Sequence, residues 1–477
     1  MKRRRVIMVA AAVAIAAGSA SLAGMSAAGG AAVRLPAAGG TWGQAITVPG
    51  LAALNAGGSA GVNAVSCGSA GSCEAGGFYR DRSRHFQAFV ASERNGRWEV
   101  AVEVPGSGAL NKGGNAQITS VSCASAGNCA AGGYYSQSGN HAFVVGERNG
   151  HWGKAIEVVL RPGPVRGGPA QVLSVSCAAA GECAAGGYFR RPASGGFRFE
   201  AFVATERNGR WGTAVSVAGL GYLNSVPGGR SEVSSVSCAS AGDCSAVGGS
   251  YLGLNHGFAV SERNGRWGTA LELRGDLQVR SVSCASADTC TAAGSYARSG
   301  RAFVVSERNG RWGKPFAVPG LTALNGAGRA GVMVSCPSAG DCVGGGFYVD
   351  RSGRGQAFVV SERNGHWGHA IEVPGSGALN AGGSAEVEVS CPSAGNCAGG
   401  GFYTDASDHW QALVVSERNG HWGHAIEVPG SGTLNTGGTA QLLSVSCASA
   451  GNCAAGGLYT AGTGRHEAFQ GFVVTEK

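Results

Sequence analysis

The chain has 477 residues, of which 85 are Gly and 14 are Pro, and only 14% is charged, against about a quarter in an ordinary globular protein. It carries no Gly-X-Y period and no heptad stretch rich in Ala, Glu, Lys and Leu, which excludes collagen, coiled coil and helical bundle. Four of its 37 Lys and Arg lie in the first five residues, so the remainder exceeds the 29 Asp and Glu by only four. A surplus that small, with no concentrated basic stripe, excludes nucleic acid as a partner.

In chain order, Lys2, Arg3, Arg4 and Arg5 form a cationic stub before an apolar stretch from Val6 and then small residues. Residues 1–28 therefore read as a secretory signal peptide and 29–40 as a short flexible linker. No later segment approaches the roughly 20 apolar residues that a membrane-spanning helix needs, so a secreted protein with no span after cleavage is expected.

Sixteen Cys fall into eight pairs spaced C-x5-C. They are Cys67 with Cys73, Cys123 with Cys129, Cys177 with Cys183, Cys238 with Cys244, Cys284 with Cys290, Cys336 with Cys342, Cys391 with Cys397, and Cys447 with Cys453. An even, paired count behind a signal peptide points to disulfides made in an oxidising compartment. Zinc would call for C-x2-C or C-x4-C knuckles with a second ligand pair, which these couples lack.

Trp42, Trp98, Trp152, Trp211, Trp267, Trp312, Trp367 and Trp422 recur at intervals of 45 to 59 residues, a period that belongs to solenoids and propellers. One unit reads AQITSVSCASAGNCAAGGYY, a variable patch, AFVVGERNGHWGKAIEV and, in most copies, a Leu-Asn-x-Gly-Gly connection. Four strands follow from it. The first is the SVSC run, the second the CAAGGYY run, the third AFVVSER, and the fourth RWGKAIEV after an Asn-Gly turn, the strongest short-range hairpin signal. No 3.6-residue period appears outside the signal peptide, so no helix is expected.

Thr41–Gly50 is a fourth strand with no unit before it, and Gly471–Lys477 is a third strand with no fourth after it. Pairing the two closes a ring and removes its open edge. The expected fold is all-β: one domain, residues 41–477, forming an eight-bladed β-propeller of four-stranded antiparallel blades.

The SERNGRW hairpin at Ser92–Trp98 and its copies resemble the Asp-box turn of sialidase-type propellers. The whole unit is similar to the Ala-Phe-containing repeats of exported bacterial proteins, at AFVVSE and at Leu-Asn-x-Gly-Gly. The Asp that names the box is absent, and the sialidase arginine triad and Tyr/Glu pair have no counterpart. What the resemblance implies is therefore the propeller scaffold.

Strand alternation puts the disulfide turns and Asn-Gly hairpins on one face, and the variable loops with the Leu-Asn connections on the other. Features common to all blades read as scaffold, so specific function is expected in the variable loops. These are rich in Arg, including Arg80, Arg82, Arg190, Arg191, Arg351 and Arg354, a rim suited to anionic polymer. Tyr79, Tyr135, Tyr348 and Tyr403, with Tyr296 and Tyr459, end the second strands, where rings stack on sugars or pack between blades. Asp405 is grouped with them as a ligand contact.

The Leu-Asn asparagines Asn55, Asn111, Asn224, Asn325, Asn380 and Asn435 read as turn formers. The connections Arg161–Ala170 and Arg274–Val279 break the pattern and make the third to fifth units the least symmetric sector. His366 and His369, like His421 and His424, point to opposite faces of a strand, so neither a metal nor a cofactor is expected. Asp81, Glu200, Asp276, Asp350, Asp405 and Asp408 include no pair that spacing selects for hydrolysis. The expected function is a monomeric, non-catalytic platform for an extracellular glycan or cell-surface polymer, with protein as the next partner. An extracellular polysaccharide hydrolase or lyase and a structural envelope protein are the alternatives.

Overall fold

The computed structural model describes residues 40–161, 169–193, 196–221, 229–252, 254–326, 328–464 and 467–477. The signal peptide, all of the linker but Gly40, Asn224 and most of the Arg161–Ala170 connection lie outside them. Among the described residues no helix is long and apolar enough to cross a membrane.

Each Asn-Gly pair adopts the left-handed backbone that its hairpin requires: Asn95, Asn149, Asn208, Asn264, Asn309, Asn364 and Asn419 have φ of 47–51°. Around these turns the chain builds eight sheets, antiparallel except where Leu160–Arg161 joins the third blade's Ala214–Ser216 in parallel. In the first, Ala60–Ser69, Ser72–Arg80 and Phe86–Arg94 are followed by the short outer pieces Arg97–Trp98 and Val102–Glu103. The eighth has Ala440–Ser449, Asn452–Ala461 and Ala468–Glu476, and takes its outer strand from Ile46–Thr47, with Ile46 opposite Val473 and Thr47 opposite Phe472. The eight-bladed ring closes as the split unit implies.

Two expectations are corrected. The outer strand is not continuous: three residues after its Trp the chain gives an N–H to the neighbouring blade, as Ala101 N donates to Pro49 O, Ala155 N to Pro105 O and Ala425 N to Pro374 O. The Leu-Asn connections also contain one-turn helices, at Leu51–Leu54, Ser107–Leu110, Leu321–Leu324, Ser376–Leu379 and Ser431–Leu434. Four residues are too few to show a helical period, so composition could not reveal them.

The expected cysteine pairing is present at all eight turns between first and second strands. Cys67 is bonded to Cys73, Cys123 to Cys129, Cys177 to Cys183 and Cys238 to Cys244. Cys284 is likewise bonded to Cys290, Cys336 to Cys342, Cys391 to Cys397 and Cys447 to Cys453. Antiparallel pairing sets the two cysteines of a turn directly opposite each other, as Cys67 with Cys73 and Cys123 with Cys129, so each bridge joins neighbours that the hairpin has already brought together.

Between successive blades lie apolar clusters centred on one third-strand residue, Phe89, Phe143, Phe202, Phe258, Phe303, Phe358, Leu413 or Phe472, each at most 1% exposed. Each such burial contributes roughly 1.5–3 kcal/mol. The paired glycines of the second strand allow this close approach. A Cβ on Gly76 would stand 2.6 Å from Ile118 of the next blade, and one on Gly77 only 2.0 Å from Gly61 O.

Two polar belts join the blades. On the innermost strands, the N–H of the first Cys of each blade donates to the Ser Oγ just before the first Cys of the preceding blade, at 2.9–3.0 Å. The series runs from Ser66 to Cys123 around to Ser446 and Cys67, all eight junctions included. Near the hairpin face, Glu93, Glu147, Glu206, Glu262, Glu307, Glu362, Glu417 and Glu476 are at most 2% exposed. Seven of them pair with the arginine of the preceding blade: Arg94, Arg148, Arg207, Arg263, Arg308, Arg363 and Arg418. At the seam Lys477 takes the Arg position and donates to Gly96 O at 2.6 Å, and Thr475 Oγ1 donates to Glu93 at 3.1 Å.

The belt carries one extra acid. Glu74, 1% exposed, stands where other blades have Ala, Ser, Thr or Val, and accepts bonds from Ser92 Oγ and Trp152 Nε1. Burial, with the Glu147 carboxylate beside it, raises its pKa to about 9. A carboxyl raised in the fold stabilises it fully below the unfolded value of about 4.3, and that stability is lost as pH climbs toward the folded value. Glu74→Gln, which mimics the protonated acid, is therefore expected to match the parent at pH 4. By pH 8 it should exceed it by about 1–3 kcal/mol. Thermal melts of the two proteins across pH check this, and parallel curves would refute it.

Candidate functional site

The hairpin face repeats the same turns in every blade except at the split eighth, so the variable chemistry lies on the opposite face and in the channel along the ring axis. Sequence-selected residues occupy that loop face in two different ways. Tyr79, Tyr135, Tyr348 and Tyr403 are 1–4% exposed and their rings lie inside the inter-blade clusters. Their hydroxyls face a carboxylate of the outer strand: Tyr79 donates to Glu103 at 2.8 Å, Tyr348 to Glu372 at 2.9 Å and Tyr403 to Glu427 at 3.0 Å. Burial, then these carboxylates, raises all four phenol pKa values. This corrects the stacking expectation for these rings. Strand alternation sends the preceding residue to the other side, and Phe78, Tyr134, Phe347 and Phe402 are the half-exposed aromatics. Phe402 stacks on Trp410 with centroids 4.4 Å apart.

Asp405 works inside its own loop. It accepts from the Ser407 and His409 backbone N–H groups and from Gln411 Nε2, whose Oε1 in turn accepts from Asn435. Against the upward push of burial, these bonds hold its carboxyl below the usual range. Asp81 with Gln87 and Asn111, and Asp350 with Gln356 and Asn380, repeat the arrangement. Ser352 and its neighbours hold Asp350 down to about 2. Asn55, Asn111, Asn380 and Asn435 thus fasten their loops to the next connection. Glu200 is held by Arg191 and Arg198, and Asp276 by Arg298.

The arginines divide likewise. Arg80 lies over Phe86 and Arg190 over Phe197, at 5.5 and 4.8 Å from the ring centroids, while Arg354 donates to the carbonyls of Asn380 and Ala381. Arg82 and Arg351 are exposed, with no carboxylate within 4 Å among the described residues.

Sequence reasoning missed the channel. The first strands are innermost, and residues alternating with their core valines face the axis. Most are uncharged: Gln117, Gln171, Gln278 and Gln441, with Thr119 and Ser234 deeper. Four charges stand out: Glu232 on the fourth blade, ion-paired with Arg230, Arg280 on the fifth, and the pair Glu386 and Glu388 on the seventh. Burial pushes both carboxyls up, and Glu388, with Glu386 beside it, lies well above the usual range; Arg280 opposes the shift in each. At the mouth, a cavity of about 380 Å³ opens between blades five and six. Its walls include Gln278, Arg280, Tyr296, Arg298, Arg329 and Phe347. The signal was present in the departures LQVRSVSC and AEVEVSC from the common AQITSVSC, read at alternate positions.

No family model and no curated protein matches the chain. Solved propellers resemble it at low identity. The fucose-specific lectin from Aleuria aurantia is 12% identical, over 65% of this chain and 95% of that one, with a TM-score of 0.32. A Hadza microbial sialidase is 9% identical, over 69% and 68% of the two chains, at 0.34. The WD40 propeller domain of Doa1 is 12% identical, over 91% and 97%, at 0.38. At such scores these likenesses carry no functional argument.

Proposed function

We propose that this chain is an exported, monomeric binding platform that takes an extracellular glycan or another surface polymer on its loop face. One observation carries the reading. On that face Arg82, Arg351 and Arg329 are exposed without a carboxylate within 4 Å among the described residues, whereas Asp81, Asp350, Asp405, Glu200 and Asp276 are all bonded to neighbouring groups. Hydrogen bonds leave Asp81, Asp350 and Asp405 ionised but occupy their oxygens within their own loops, and Asp408 is one further exposed acid, so the free ionic contacts of these loops are mainly guanidinium donors, which suit an anionic polymer. The same bonding disfavours a hydrolase, since these acids are held by their own loops rather than converging on one bond. Eight disulfides and the cationic, apolar start support export.

The test is binding of the oxidised mature protein to an array of bacterial, fungal and plant polysaccharides at two salt concentrations. Saturable binding that weakens with salt, and falls several-fold in Arg82→Gln and Arg351→Gln, is the expected result. A correctly folded protein that retains no polymer would refute the reading.

A further inference from the structure

The cavity between blades five and six sets arginine side chains beside an aromatic ring. Arg298, on one side, is ion-paired to Asp276 at 3.1 Å and remains 76% exposed. Arg329, opposite, and Arg280, rising from the channel wall, have no carboxylate within 4 Å among the described residues. The Arg280 guanidinium lies 3.6 Å from where a Cβ would stand on Gly331 of blade six, so it leans across the blade junction toward the cavity. The half-exposed Phe347 ring provides an apolar side, Tyr296 lines the cavity while its ring packs on Phe303 and carries Arg301 over it, and Ser295, Ala297, Ser299, Gly300, Gly328 and Ala330 keep the space open. A volume of about 380 Å³ lies within the roughly 300–1,000 Å³ typical of small-ligand sites.

We propose that this cavity is a subsite for a carboxylated sugar, a uronate residue of an acidic glycan, with Arg280 and Arg329 binding the carboxylate, Phe347 stacking on the pyranose ring and Tyr296 at its edge. This rests on the loop-face binding reading above and names its ligand class. Guanidinium groups match a carboxylate with paired N–H donors, and aromatic rings offer flat faces to the C–H side of a sugar. A phosphate strung on a flexible polyol would use the arginines but not the rings. Glu386 and Glu388, two blades away on the seventh, lie beyond ion-pair distance of Arg280 and interact with it only at longer range. The positive charge therefore remains available at the mouth. The sequence places all this in LQVRSVSC, in the short Ala-Arg-Ser-Gly-Arg loop and in Gly-Arg-Ala at Gly328–Ala330, three segments that no other blade repeats together.

The experiment titrates the full, oxidised mature protein with tetragalacturonate, its methyl ester and oligomeric glycerol phosphate by calorimetry. Arg280→Gln, Arg329→Gln and, as a control on the opposite, hairpin face, the exposed Arg97→Gln are tested alongside. Tetragalacturonate should bind, its methyl ester at least about 10-fold more weakly, and each of the two cavity variants should lose about 10-fold while Arg97→Gln keeps the tetramer affinity. Arg329 is exposed and makes no ion pair within 4 Å to another described residue, so its variant tests the cavity without disturbing the ring. Equal affinity for acid and ester, tighter binding of glycerol phosphate, or unchanged affinity in both cavity variants would overturn the uronate subsite and leave glycan binding elsewhere on the loop face intact. Failure of every polysaccharide on the array would overturn the platform reading as well.

Discussion

Arg363→Ala should lower stability by about 3 kcal/mol, because it strips the partner from a carboxylate that has nowhere to go. Glu417 is wholly buried, and Arg363 Nη2 lies 2.8 Å from its Oε1. Removing one partner of a buried pair costs about 3–5 kcal/mol, mostly the penalty of the stranded charge. The lower end applies because Arg363 is itself 34% exposed, so water enters beside Glu417 when the guanidinium is gone. The distinguishing comparison is the double variant Arg363→Met with Glu417→Leu, which removes the charge together with its partner and should return most of the loss. Urea midpoints of the three proteins measure this. A cost below about 0.5 kcal/mol for the single variant, or a double variant no better than the single, would show that the belt does not stabilise the ring.

The belt also shows where reading the sequence stopped. The Asn-Gly turns, the eight cysteine pairs and the split blade were legible because each depends on local chemistry: positive φ, a short covalent loop, and a strand missing its neighbour. Ser66 and Glu93 belong to equally regular motifs, SVSC and SER, but their partners are 57 and 382 residues away, Cys123 and Thr475. Periodicity reveals that a position recurs without revealing which blade face it takes. Tyr79 and Phe78 make the same point at a distance of one residue. Both are aromatic at the end of a strand, and only the register, with Gly61 opposite Phe78 and Ala60 opposite Tyr79, decides which ring enters the core. The channel charges were legible in principle, since Glu386 and Glu388 alternate with Val387 and Val389 in a strand that lacks the bulge found in six other blades. Seeing them required treating the departures among the copies as information and the common pattern as background.

Removing residues 1–49 should cost more than any point substitution. That segment supplies the outer strand of the eighth blade and the reciprocal backbone bonds between Thr41 and Lys477. It also supplies the bonds from Gly43 N to Thr475 O, from Ala45 N to Pro429 O and from Val48 N to Gly471 O. Trp42 Nε1 reaches Ser416 across the blade junction at 3.1 Å, Thr47 Oγ1 meets the Tyr459 hydroxyl at 2.7 Å, and Val48 is 1% exposed. At about 0.5–1.5 kcal/mol per hydrogen bond plus one buried valine, the loss is about 5–10 kcal/mol, as large as the whole stability of many domains. The third strand, Ala468–Glu476, would also become an open edge prone to pairing between molecules. Deletion alone confounds loss of the strand with loss of chain. A permuted protein separates them: it starts at Leu51 and continues from Lys477 through Asn-Gly into Thr41–Gly50, which restores the spacing of Glu, cation, Asn-Gly and Trp found in the other seven blades. The truncated chain should aggregate or melt far below the parent, and the permuted one should melt with it or above it. If the permuted protein failed like the truncated one, the order of the chain rather than the pairing of its two end strands would be what holds the ring closed.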